Sequence, residues 1–229
     1  MKTNRRIHPA WIAAIVTFFT LVATAGFRSA PSVLIIPLQD AFGWHRDQIS
    51  LAIAINVLLY GLTAPFAAAL MERFTVRKVV MGALITVSTG AFLTTLIQAP
   101  WQLIATWGVI VGVGTGSMAL VFAATVANRW FVKRRGLVVG GLTAAAAMGQ
   151  LIFLPGLTHL SGMYGWKSIG LTIGAAALLM VPMIYVFLRE KPSDLGYLPY
   201  GAPDDWTPPA RSEMNAARLA IVTLKEASS

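Results

Sequence analysis

Residues 11–37 read WIAAIVTFFTLVATAGFRSAPSVLIIP, and the nature of this stretch decides the fold. As an α-helix rising about 1.5 Å per residue, it reaches about 40 Å and can cross a hydrocarbon core about 30 Å thick with tilt. Its single charge is Arg28. A guanidinium at that depth costs about 2.5–3.5 kcal/mol on insertion scales, so it must face protein, water or a bound anion. The apolar runs of this chain contain no Asp or Glu, so the bilayer interior offers Arg28 no acidic partner. Arg28 is therefore the first candidate for anion binding. The alternative is a side chain that snorkels to the outer interface, which is the nearer one.

Outward from this run, five more follow at residues 49–70, 79–97, 101–127, 136–160 and 168–188, each of at least 19 residues. All exceed the roughly 18 residues a spanning helix needs. They lack the polar face of soluble core helices and the alternating polarity of outer-membrane strands. The expected fold class is thus all-α, a multi-pass bundle of six transmembrane helices. The domains are a cytoplasmic N-terminus at 1–10, a membrane domain at 11–188 and a cytoplasmic linker and tail at 189–229. The first and fourth runs open at Trp11 and Trp101, and the runs shorten in order within each triplet. That pattern points to a three-plus-three repeat, inverted because three spans separate the copies.

The chain of 229 residues is 56% hydrophobic and 12% charged, with a formal net charge of +9. A soluble domain is normally about one quarter charged. The positive excess would suit nucleic acid if it formed a patch, but it lies in short loops between apolar runs, which excludes that partner. Lys2, Arg5 and Arg6 precede the first run; Arg73, Arg77 and Lys78 follow the second; Arg129, Lys133, Arg134 and Arg135 follow the fourth. Arg189, Lys191, Arg211, Arg218 and Lys225 follow the sixth, whereas only Arg46 and Lys167 fall on the opposite side. The positive-inside rule then puts both termini in the cytoplasm, in a cell (inner) membrane. The charged start has no small-residue cleavage site behind it, so the first run is read as a retained span.

With no cysteine, disulfides and thiol catalysis are excluded. There is no nucleophile–base pair, phosphate loop or metal-ligand spacing, so no enzyme activity, cofactor or metal is expected. Small residues recur at Gly108, Gly112 and Gly116 and at Gly136, Gly140 and Ala144, a spacing that lets helix backbones approach. On the second run, Asn56, Tyr60 and Thr63 share a face that can line a central cavity; Asn56 can equally bond a neighbouring helix. Gln150 and Thr143 share a face of the fifth run, and His159 near its outer end is a lesser candidate for proton transfer. The candidate substrate residues are therefore Arg28, Asn56, Tyr60 and Gln150.

Several passages resemble the N-terminal half of a major facilitator superfamily transporter, in the bacterial branch related to monocarboxylate and oxalate/formate carriers. They are Gly26-Phe27-Arg28-Ser29 with Phe42-Gly43-Trp44, Tyr60-Gly61-Leu62 with Pro65, Arg129-Trp130-Phe131 with Arg134-Arg135-Gly136, and Leu198-Pro199-Tyr200-Gly201. The superfamily's loop pattern G-x-x-x-D-R-x-G-R-R-K corresponds here to AALMERFTVRK at 68–78, with Glu72, Arg73, Arg77 and Lys78 retained in kind and Ala68 and Thr75 replacing the glycines. The resemblance implies a conformational latch at those four residues. Gly108 stands where the family's fourth-span arginine would be, so proton coupling through that arginine is not expected. The implied function is secondary transport of a small solute, such as a monocarboxylate anion, by alternating access. The competing reading is a non-transporting membrane subunit or an inactive fragment. Family members have twelve spans, so the expected partner is a second six-span half: a separate chain, a missing C-terminal half, or a second copy. The end of the chain, where a seventh span would be approached, favours a truncated or split product.

Overall fold

Backbone in an apolar run must satisfy its own hydrogen bonds, and here each of the six runs is helical. The computed structural model describes residues 8–203 and 206–207. Helix α1 (Pro9–Phe42) starts where His8 Nδ1 accepts from the Ala10 N–H at 3.2 Å, and it ends at Gly43, whose φ of +67° favours glycine. Helix α2 spans Arg46–Arg73, and α3 spans Val76–Thr94 with Thr75 as its N-cap. Helix α4 (Pro100–Trp130) is α-helical over Pro100–Leu103 and π-helical over Ile104–Val111. It is α-helical again over Gly112–Gly116 and over Ala119–Trp130. Helices α5 (Arg135–Tyr164) and α6 (Lys167–Phe187) complete the six, all long and apolar enough to cross a membrane.

Helices α1, α2, α4 and α5 outrun their apolar stretches. Instead of stopping at Pro37, α1 continues to Phe42, because Pro37 is carried inside the helix and Leu38 is fully buried against the bundle. Helix α3 ends earlier than 97, since Thr95 and Leu96 turn the chain toward Pro100. Residues 192–201 do not run on as a free extended linker. After a short 3₁₀ turn at Pro192–Leu195, the Tyr200 N–H donates to the Trp130 carbonyl at 2.8 Å. The Tyr200 ring packs between Trp11 and Phe131. The stretch from Ser212 to Glu226, where helix-forming residues recur, lies outside the described residues, as do Lys2, Arg5, Arg6 and Arg211.

The packing has a symmetry. Helix α1 lies against α5 and α6, α4 lies against α2 and α3, and α3 lies against α6. Exchanging one with four, two with five and three with six turns the α1–α5 contact into α4–α2 and α1–α6 into α4–α3. The α3–α6 contact maps onto itself. Successive helices joined by short turns run in opposite senses, so the two triplets form an inverted three-plus-three repeat.

Glycines set the close approaches in both of the contacts that the symmetry pairs, α4–α2 and α1–α5. A Cβ on Gly108 would sit 3.1 Å from the Ala52 carbonyl, and one on Gly112 would sit 3.1 Å from Asn56 Cα. One on Gly116 would sit 2.7 Å from the Tyr60 carbonyl, so the stripe on α4 meets α2 backbone to backbone. In the α1–α5 contact, Gly149 presses on Val22 and Ala25, while Gly26 receives the Phe153 ring. Gly140, expected to pack in the same way, faces open space together with Gly136 and Gly141. The reason is geometric: α5 meets α1 through its Gly149 turn, and the glycines at its start lie on an exposed face.

A Cβ on Gly149 would lie 2.5 Å from Ala25 Cβ and 2.6 Å from the Val22 carbonyl. Gly149→Ala should therefore destabilise the chain by about 1–3 kcal/mol. Gly140→Ala should be neutral or gain up to about 1 kcal/mol from helix propensity. Thermal unfolding of the two variants in detergent checks the contrast.

Candidate functional site

The symmetric pairs α1–α5 and α2–α4 enclose a cleft of about 270 Å³ at mid-height of the bundle. Arg28, Tyr60 and Gln150 all line it, and each lies near the middle of its own helix. The Arg28 guanidinium sits 5.0 Å from the centre of the Tyr60 ring, a cation–π arrangement that covers one face of the cation. Its hydrogen-bonding edge remains available to the cleft. Gln150 is brought beside Arg28 by the close α1–α5 contact, where the Ser29 hydroxyl donates to the Gln150 carbonyl at 3.3 Å. The rest of the lining is mainly apolar, from Leu21, Phe27, Met118, Leu142 and Ala146, with Thr24, Thr115 and Thr143 as further polar groups. Arg28 thus lines the cleft with its guanidinium over the Tyr60 ring.

Asn56 and Thr63, grouped with Tyr60 by helical spacing, do not line this cleft. The Asn56 amide donates to the Trp107 carbonyl at 2.7 Å, and Thr63 lies against Gly116. Their face of α2 is covered by α4. Thr143 does share the cleft with Gln150. His159 is exposed and lies outside the cleft.

A second cluster forms where α2, α3, α4 and α6 end together. Glu190, just past α6, forms with Arg129 the one ion pair among the described residues. Glu190 Oε1 also accepts from the Val76 N–H at 3.2 Å, at the positive end of the α3 dipole. Arg129 donates in addition to the Met71 carbonyl at 3.3 Å. The carboxylate at the start of α3 is Glu190, while Glu72 is exposed, as are Arg73 and Lys78. The Arg77 guanidinium lies 5.3 Å from the Tyr185 ring. Sequence reasoning missed Glu190 and Arg129 as a pair. The available signal was an acid between Arg189 and Lys191 directly after an apolar run.

The sequence profile described as Major Facilitator Superfamily matches residues 14–223. The chain belongs to the Major Facilitator Superfamily. The chain is 24% identical, over 84% of its length and 47% of the relative's, to the protein called uncharacterized MFS-type transporter YcxA of Bacillus subtilis (strain 168). It is 29% identical to human monocarboxylate transporter 7, over 75% of this chain and 32% of that one. With mouse monocarboxylate transporter 9 the identity is 27%, over 85% and 38%. The chain therefore spans less than half the length of these curated relatives. They are transporters and not enzymes, and this chain is a multi-pass membrane protein whose described fold is that of one superfamily half.

Glu190 and Arg129 tie four helix ends together, and the pair is only about one fifth exposed. Glu190→Gln and Arg129→Met should each cost about 1–3 kcal/mol, because each leaves a partly buried charge without its partner. The double variant should cost clearly less than the sum. Glu72→Gln should stay within about 0.5 kcal/mol. A double-mutant cycle on thermal unfolding in detergent measures all three.

Proposed function

We propose that this chain is one half of a secondary active transporter that carries a small organic anion of the monocarboxylate kind by alternating access. The observation that carries the reading is the single cation at the centre of the bundle, aimed into a largely apolar cleft and supported by Tyr60 and Gln150. In a low-dielectric cleft, a guanidinium edge attracts a carboxylate strongly and can bind it through two parallel hydrogen bonds. One charge with apolar walls suits an anion with one carboxylate and a hydrocarbon body better than a dianion. The named monocarboxylate transporters among the relatives support the same class. Gln150 offers an amide to a second oxygen of the solute. Asn56 is not part of this binding set, because its amide is already engaged.

The partner is a second six-span half. Helices α2 and α5 are the least buried of the six, and the cleft lies between them and α1 and α4. A second half seated on that face would close the cleft, and the relatives, each more than twice as long as the matched part, have room for one. The exposed Glu72, Arg73 and Lys78, with Arg77 beside them, then serve as the latch to that half. The basic loops support cytoplasmic termini in a cell membrane.

With the second half supplied by fusion or co-expression, Arg28→Gln should abolish saturable monocarboxylate uptake while the chain still inserts. Arg28→Lys should weaken uptake but keep part of it, since the charge remains and the fork is lost. Uptake of a panel of mono- and dicarboxylates into proteoliposomes reads the effect; unchanged transport in Arg28→Gln would remove the anion assignment. For orientation, single cysteines at the exposed Gln98 and Tyr164 should react with an impermeant reagent from outside intact cells, and those at Phe74 and Lys78 should not.

A further inference from the structure

The fourth helix is the irregular one. Its second and third turns, Ile104–Val111, are π-helical, and the chain turns again at 117–118 before Ala119. In a π turn the backbone bonds run from i to i+5, so the turn holds about one residue more than an α turn. Such a stretch is poor in intrinsic stability and persists where neighbours hold it. The neighbour here is Asn56. Its side-chain Nδ2 reaches the Trp107 carbonyl, in the middle of the π stretch, at 2.7 Å. It can do so because Gly108 and Gly112, which follow Trp107 on the same helix, let α2 and α4 approach with backbone against backbone. An amide donor on a neighbouring helix supplies a mid-helix carbonyl with a bond that does not depend on the helix's own ladder.

Downstream of this contact the same helix places Thr115 and Met118 in the wall of the cleft, where Met118 is fully buried and Thr115 nearly so. Each residue of an α-helix turns the chain by about 100°. Closing the π stretch into regular α-helix, with no residue removed, would shift everything beyond it by about one position. Gly114 and Ser117 would then stand where Thr115 and Met118 stand now. We propose that Asn56 is a positioning residue: by holding the Trp107 carbonyl it keeps α4 in its π conformation, and thereby sets which side chains of α4 form the wall of the cleft. Its importance for transport rests on the anion site proposed above; its effect on the wall does not.

The chain has no cysteine, so the wall can be read one thiol at a time. Single variants Thr115→Cys, Ser117→Cys and Met118→Cys are labelled in detergent with N-ethylmaleimide. With Asn56 in place, 117 should react and the buried 115 and 118 should be at least tenfold slower. With Asn56→Leu, 117 takes the buried place of 118 and should slow at least tenfold. Asn56→Gln, which keeps a donor, should restore the original pattern at least in part. An inserted, folded Asn56→Leu protein with the unaltered pattern would overturn the proposal.

A second arm covers the case in which Asn56→Leu does not accumulate. Deleting Val109, an exposed residue of the π stretch, removes the extra residue and lets the helix close without moving what lies downstream. Position 117 should stay reactive in that background, and loss of its reactivity on deletion would equally overturn the proposal. The labelling requires no transport, so failure of anion uptake bears on Arg28 and leaves this reading intact.

Discussion

A guanidinium at the middle of a membrane helix, with no carboxylate in any neighbouring span, is the constraint on which the rest of this molecule depends. Arg28 cannot face hydrocarbon without a cost of about 2.5–3.5 kcal/mol, and the bundle gives it no anionic partner of its own. The fold answers by placing it over the Tyr60 ring and opening its edge to a cleft. A cation–π contact of this kind is worth about 0.5–2 kcal/mol, which offsets part of that cost and leaves a residual attraction for an anion. The remaining charge is what makes the cleft a candidate site rather than a packing defect.

The geometry around Arg28 is set by two contacts that the repeat makes equivalent. Helix α5 closes on α1 through Gly149 and Gly26, and α2 closes on α4 through Gly108, Gly112 and Gly116. Between lipid-soluble helices there is little hydrophobic driving force, so association rests on close van der Waals packing and interhelical hydrogen bonds. Both are present in each pair: Ser29 bonds the Gln150 carbonyl, and Asn56 bonds the Trp107 carbonyl. The Arg129–Glu190 pair then fastens the helix ends far from the cleft, with the Tyr200 segment laid over α1 and the loop after α4.

Six spans, their order and the glycine stripe on α4 were legible in the sequence because each depends on composition and spacing along one helix. Arg28, Tyr60 and Gln150 were legible as polar groups in apolar runs, and the structure brings them to one cleft. Periodicity names a face but not the neighbour it meets. Positions i and i+4 are about 40° apart on a helix, so the border of a cavity can fall between them. That is why Tyr60 lines the cleft while Asn56 turns to α4. Gly140 carries the same spacing as Gly112 but meets open space, because spacing cannot say whether a second helix is present. The π stretch leaves no compositional trace, since it arises from packing against α2. Glu190 was hidden for another reason: the partner it finds, Arg129, is remote in sequence and joined to it only by the fold.

The central claim is that Arg28 holds the carboxylate of a monoanionic solute inside the cleft. The most direct measurement is a crystal structure of the protein, assembled with its second half, in complex with 2-bromopropionate and recorded at the bromine absorption edge. The account predicts an anomalous peak within the cleft bounded by Tyr60, Met118 and Gln150, with carboxylate density against the Arg28 guanidinium and the bromine toward the apolar wall. Bromine found only outside the cleft, with Arg28 still stacked on Tyr60 and no carboxylate density beside it, would contradict the claim.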